Sequence, residues 1–198
     1  MKKLTAILLV ALLSFSFTAC SKNSGSDVSS SPESNNSQQI TAKDAVELLT
    51  AVWKGYPEDS KFAAMGGDLS EENATTDAPG KFGLSDPATL DSTLGFPSAS
   101  VDKIDDAASL IHMMNANTFT CGAYHVKSSD DISELAKAIK DNILQKQWMC
   151  GFPDRLIIVS VGDYIVSFYG NNEILDTFQA QLTSTYPSSK VILEEPIA

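Results

Sequence analysis

Apolar residues between positions 41 and 57 recur at three- and four-residue spacing: Ala42, Ala45, Val46, Leu49, Val52, Trp53 and Tyr56. That spacing places them on one face of a helix. Thr41 with Asp44 resembles a capping box, with Asp where Glu or Gln is usual. Gly55 and Pro57 mark the stop. The pattern then dissolves. Residues 58–104 show no period and many breakers, and they read as irregular chain. The exception is a short helix within 84–96, with Ser85 as its cap and Gly95 as its stop.

Order returns near residue 106. Two strands, 107–114 and 117–127, flank a turn at Asn115-Ala116-Asn117. A helix follows within 128–148, with Ile132, Leu135, Ala136, Ile139 and Ile143 on one face. Asp130 and Asp131 suit the positive end of its dipole. A hairpin bends at Gly162-Asp163. A second helix carries Ile174, Leu175, Phe178 and Leu182, and "KVILEEP", residues 190–196, is a last strand. From residue 117 the order is β-α-β-β-α-β. The expected fold is therefore α+β: a ferredoxin-like antiparallel sheet with both helices on one face. An extra N-terminal strand extends the sheet at an edge, and the N-terminal helix docks on an edge or face.

The first forty residues have a different character. Met1-Lys2-Lys3 precedes an apolar run from Leu4 to Phe17, too short to span a bilayer comfortably. Residues 1–19 have the layout of a signal peptide. Phe17-Thr18-Ala19-Cys20 resembles the bacterial lipobox, with Phe17 in place of an aliphatic residue. Cys20 is thus the expected lipidation site, becoming the new N-terminus with a diacylglyceryl group on its sulfur. Two acyl chains give stable anchoring where one does not. Ser and Asn dominate the stretch that follows Cys20, and residues 20–40 read as the lipidated cysteine and a flexible tether. About 20 flexible residues reach on the order of 25 Å. Residues 41–198 form the single folded domain.

Charge narrows the partners. The formal charge is −11, and it becomes about −13 once Lys2 and Lys3 leave with the signal. An acidic domain is repelled by nucleic acid and by anionic headgroups. Nucleic acid is therefore excluded, and membrane attachment falls to the lipid.

Candidate chemistry is sparse. Cys121 and Cys150 remain in the body, and export permits a bridge between them. Such a bridge would constrain the unfolded chain by roughly 3–4 kcal/mol. Cys121 and His125 lie four apart on one strand, about 13 Å along it, too far for a dyad. No CxxC or HExxH pattern occurs, and no metal or cofactor is expected. The acidic run from Gly66 to Asp77 fails the calcium-loop pattern, because its sixth position from Asp68 is Asn73 and its twelfth is Pro79. Gly66-Gly67 lacks the context of a phosphate loop, and no GxSxG elbow is present. Trp148, Met149 and Phe152 stand out in the connection 145–155, either packed under the sheet or forming a contact surface.

Residues 84–186 resemble the domain of unknown function 4358 family, found in small lipoproteins of Gram-positive bacteria. The carriers are Leu84–Leu94, "FTCGAYHVKSSDDISELAKAI", "WMCGFPDRLIIVSVGDYIVSFYG" and "EILDTFQAQL". The resemblance implies a lipoprotein setting and assigns no functional residue. The expectation is an extracytoplasmic, membrane-anchored module that binds an envelope partner without catalysis. The alternative is a thiol-dependent envelope enzyme using Cys121 or Cys150.

Overall fold

A computed structural model describes residues 42–149 and 151–197. The signal, the lipidation site Cys20 and the tether lie outside these residues, as does Cys150. The described residues belong to one compact unit with two hydrophobic cores. The fold is α+β, with an eight-stranded antiparallel sheet covered by helices on both faces.

The first helix, α1 (Ala45–Lys54), is capped by Asp44, whose carboxylate accepts from the Glu47 N–H at 2.7 Å. Glu47 returns a bond to the Lys43 N–H. The cap is thus Asp44 with Glu47; Thr41, of the expected Thr41–Asp44 box, lies outside the described residues. Ala45, Leu48, Leu49, Val52 and Trp53 form the buried face. Asp106 Oδ2 accepts from the Ala45 N–H at 2.7 Å and pins the start of α1 to the sheet.

The stretch expected to be irregular contributes three short strands: β1 (Ala64–Gly66), β2 (Thr75–Thr76) and β3 (Gly80–Lys81). Two or three residues are too few to show a period. Their order comes from close backbone approach instead. Gly67 sits at φ +89°, and a Cβ there would fall 2.0 Å from the Asn73 carbonyl oxygen. The buried Ser109 hydroxyl accepts from the Gly67 N–H at 2.9 Å and donates to the Gly67 carbonyl at 3.0 Å. The glycine pair therefore serves packing. Helix α2 (Pro87–Leu94) follows, capped by Asp86 rather than Ser85, with Pro87 as its first residue. Gly95 ends it at φ +72°.

The remaining elements match the pattern in kind and order, although the strand expected at 107–114 runs from 104 to 112. They are β4 (Ile104–His112), β5 (Phe119–Val126), α3 (Ile132–Leu144), β6 (Arg155–Val161), β7 (Tyr164–Gly170), α4 (Asn172–Thr185) and β8 (Lys190–Pro196). Their assembly differs from the ferredoxin-like expectation. The strand order is β2-β1-β4-β5-β7-β6-β8, with β3 also paired to β4. A ferredoxin-like sheet would set β8 beside β5. Here β4 takes that edge through its hairpin with β5, so β8 pairs with β6. Because β1 and β3 pair along its other side, β4 is an interior strand, not an edge.

That exchange also moves a helix. The β5-α3-β6 and β7-α4-β8 connections now step the same way across the sheet, while β5 and β7 run antiparallel. Crossovers between parallel strands are almost always right-handed. Two such steps in one direction from opposed strands demand opposite faces. Leu175, Phe178 and Leu182 of α4 accordingly pack with α1 on one face, around Cys121, Val166 and Phe168. Leu135, Ala136, Ile139 and Ile143 of α3 pack with Leu90 and Leu94 of α2 on the other, around Tyr124, Ile158 and Ile165. The protein has three layers, not two. Among the described residues, no helix is long and apolar enough to cross a membrane.

Candidate functional site: the apolar end of the sheet

The two ends of the sheet are unlike. At one end β4 begins, the β6–β7 hairpin turns and α1 starts. Val126 N–H bonds to the Asp163 carbonyl there at 2.9 Å. Residue 42, where the described chain begins, belongs to this end. Asp44, Asp105 and Asp106 surround Tyr164, and burial together with these carboxylates pushes its phenol up to about 12. A bulge between Ile104 and Asp106 sets Asp105 off the ladder. Its carboxylate meets His125 Nδ1 at 2.6 Å, with the Tyr164 ring 4.9 Å from the imidazole. Bulges re-aim side chains in this way. Among the described residues, no hydroxyl or thiol bonds to this imidazole.

The opposite end, about 25 Å along β4, carries the β4–β5 turn and the α3–β6 connection. Neither residues 113–118 nor residues 147–153 include a charged side chain. Met114, Met149 and Phe152 are 80%, 79% and 63% exposed, and Met113 and Leu144 are also exposed. These loops are braced rather than loose. His112 Nδ1 accepts from the N–H groups of Met114 and Asn115 at 3.2 and 3.3 Å, and the ring stacks on Phe62 at 5.2 Å. Asn117 Nδ2 donates to the carbonyls of Met149 and Gly151 at 2.7 and 3.0 Å, tying the two loops together.

Of the three residues singled out in the connection, Trp148 is not part of a free surface. It packs against Tyr169 at 5.2 Å between ring centres, on the α2–α3 face. Lys146 Nζ lies over both rings, at 5.8 and 5.7 Å, and donates to the Ser92 carbonyl at 2.9 Å. Burial pulls the Lys146 ammonium below its usual range. The connection is therefore fastened to the end of α2, where carbonyls favour a cation. With Trp148 seated inward, Met149 and Phe152 point outward. Met113 and Met114, which complete the patch, were missed because a strand drawn to 114 absorbed them. Two adjacent large apolar residues beside a turn were the available signal, since alternation allows only one of them to face inward.

At the same end, starting two residues after Phe152 in sequence, a cleft of about 400 Å³ is lined by Asp154, Arg155, Asn172, Glu194, Glu195 and Pro196. Asp154 Oδ2 accepts from the Asn172 N–H at 2.8 Å, capping α4 in place of the silent Asn171 side chain. Arg155 bonds Asp176 and Glu194. The cleft thus holds three carboxylates and one guanidinium.

Cys121 is fully buried between the sheet and α1–α4, and burial pushes its thiol well above the usual range. A nucleophilic thiolate needs the reverse. The bridge expected from Cys121 ends on Cys150, which lies outside the described residues. Trp148, two positions before it, packs on the face of the sheet opposite Cys121. Among the described residues, no three His, Cys, Asp or Glu side chains are grouped to hold a metal ion.

The fold and site define an α+β domain with two helical layers, whose end opposite the start of α1 carries two uncharged, apolar loops beside a charged cleft. No family model matches the chain, and no match is found among the curated proteins or the solved structures.

Proposed function

We propose that this protein is an extracytoplasmic lipoprotein, anchored through a diacylglyceryl group on Cys20, that serves as a non-catalytic binding module for an envelope protein. The observation that carries the reading is the opposition of its two ends. The chain enters the domain beside Asp44 and Asp106, while Met114, Met149 and Phe152 crown the other end. A domain hung from the start of α1 offers its apolar end away from the bilayer. Apolar patches of this kind on a folded domain mark contact surfaces. The signal layout, the lipobox-like Phe17–Cys20 and the Ser/Asn-rich tether support the setting. The resemblance of residues 84–186 to the lipoprotein family rests on its sequence motifs alone.

Site-specific photo-crosslinking in intact cells tests the reading. A crosslinker at position 114 or 149 is expected to capture one reproducible envelope protein, and one at position 163 is expected to capture none. Failure at 114 and 149 under native expression would sink the proposal.

A further inference from the structure

The apolar end and the cleft beside it specify what kind of partner fits. We infer that this composite surface docks a polypeptide segment that pairs apolar side chains with a lysine or arginine. The inference rests on the binding role proposed above and adds the chemistry of the partner.

The charge arrangement carries it. Met113, Met114, Met149 and Phe152 form a surface with no charge of their own loops to satisfy. Such a surface selects apolar groups but no sign. Sign comes from the cleft, whose rim begins at Asp154, two residues beyond Phe152. Arg155 is already engaged by Asp176 and Glu194. Asp154 faces a helix N-terminus, and Glu195 makes no ion pair among the described residues. The cleft therefore carries more negative charge than Arg155 neutralises. An incoming cation gains from it, and an anion is repelled. Lys146, the nearest cation on the α3–β6 connection, is held over Trp148 and Tyr169 against the Ser92 carbonyl.

The same arrangement disfavours a lipid surface. Loop tips bearing Met and Phe can enter a bilayer, but the carboxylates of the cleft at the same end oppose anionic headgroups. A polypeptide segment carries apolar side chains and a cation along one chain, matching both halves. The geometry also predicts a division of labour. Apolar burial sets most of the affinity, and the cleft sets selectivity and salt dependence.

The experiment uses the chain from residue 21, which retains both cores. Three labelled synthetic peptides of equal length are titrated against it by fluorescence anisotropy. One combines Leu and Lys, one combines Leu and Glu, and one combines Ser and Lys. The Leu/Lys peptide is expected to bind at least tenfold more tightly than either other peptide. Its affinity should fall at least threefold in Met114→Ser/Met149→Ser and in Glu195→Lys, and should not change in Asp163→Asn. Circular dichroism confirms that each variant is folded. Equal binding of the Leu/Lys and Leu/Glu peptides would overturn the inference. So would indifference to the Met114/Met149 and Glu195 changes, which would mark general attraction to an acidic protein. Binding to phosphatidylglycerol vesicles that depends on Met114 and Met149 would also overturn it, in favour of a membrane. In each of these cases a partner captured at position 114 in cells would leave the binding role standing.

Discussion

The Asn117 side-chain amide donates to the Met149 carbonyl at 2.7 Å, across thirty-two positions of sequence. It donates to Gly151 as well, so one amide holds both loops of the apolar end. Replacing Asn117 with Ala leaves those carbonyls to water, at a cost of about 1 kcal/mol. The expected local effect is larger than the global one. Amide hydrogen exchange in residues 145–153 should accelerate while the exchange of β5 and β7 holds. Capture by a crosslinker at position 149 should fall. Unchanged exchange in that segment would show that the amide does not brace it.

Asp68 gives a pH dependence with a defined sign. Burial alone would raise its carboxyl, but hydrogen bonds from the Ser70 and Asn73 side chains and the Ser70 and Gly83 N–H groups outweigh this and hold it at about 2. A folded value below the unfolded 3.8 means that the stabilisation is complete above about pH 4 and is lost as pH falls through 2. Thermal unfolding followed from pH 5 to pH 2 should show this loss in the native chain. Asp68→Asn, which cannot ionise, should be less stable at pH 5 and show a shallower decline. Parallel curves for the two proteins would contradict the assignment.

Cys121 should be inert while the protein is folded. Its thiol is buried and its ionisation is suppressed by burial. Iodoacetamide at pH 8 is expected to leave Cys121 unmodified in the native state and to modify it in guanidinium with reductant, as read by peptide mass. Rapid native alkylation at this position would revive the thiol-enzyme alternative. Cys121→Ser should cost about 1–3 kcal/mol, because a hydroxyl replaces a soft apolar group in the core.

Gly95 should tolerate no side chain. Its φ is +72°, and a Cβ would lie 2.4 Å from Ile143 Cγ1 of α3. Gly95→Ala is expected to destabilise the protein by more than 1 kcal/mol, through left-handed strain added to the clash. Chemical denaturation measures it. A neutral substitution would mean that the α2–α3 contact yields easily.

Much of the fold was legible because many elements carry their own period. The buried faces of α1, α3 and α4 follow three- and four-residue spacing, and β8 covers the seven residues of "KVILEEP". The two-residue bend at Gly162-Asp163 joins Val161 to Tyr164 as a hairpin should. The caps were displaced because several polar residues in a row can each serve, and geometry chooses among them. Thus Asp86, not Ser85, accepts from the Ala88 and Thr89 N–H groups.

Taken alone, the sequence determined which segments become helices or long strands and most of the residues that the helices bury, though not Leu48 of α1. Those properties depend on side-chain spacing within ten or fifteen residues. It also carried the charge and the signal-like start. Only the tertiary structure decided that β4 would claim the free edge of β5, which sent β8 to β6 and α4 to the far face. That choice is a competition between strands for one set of backbone donors and acceptors, and no local period records it. The apolar end was decided the same way. Trp148 turned inward onto Tyr169 while Met149 turned outward, because one side chain had a partner from a distant strand and the other did not.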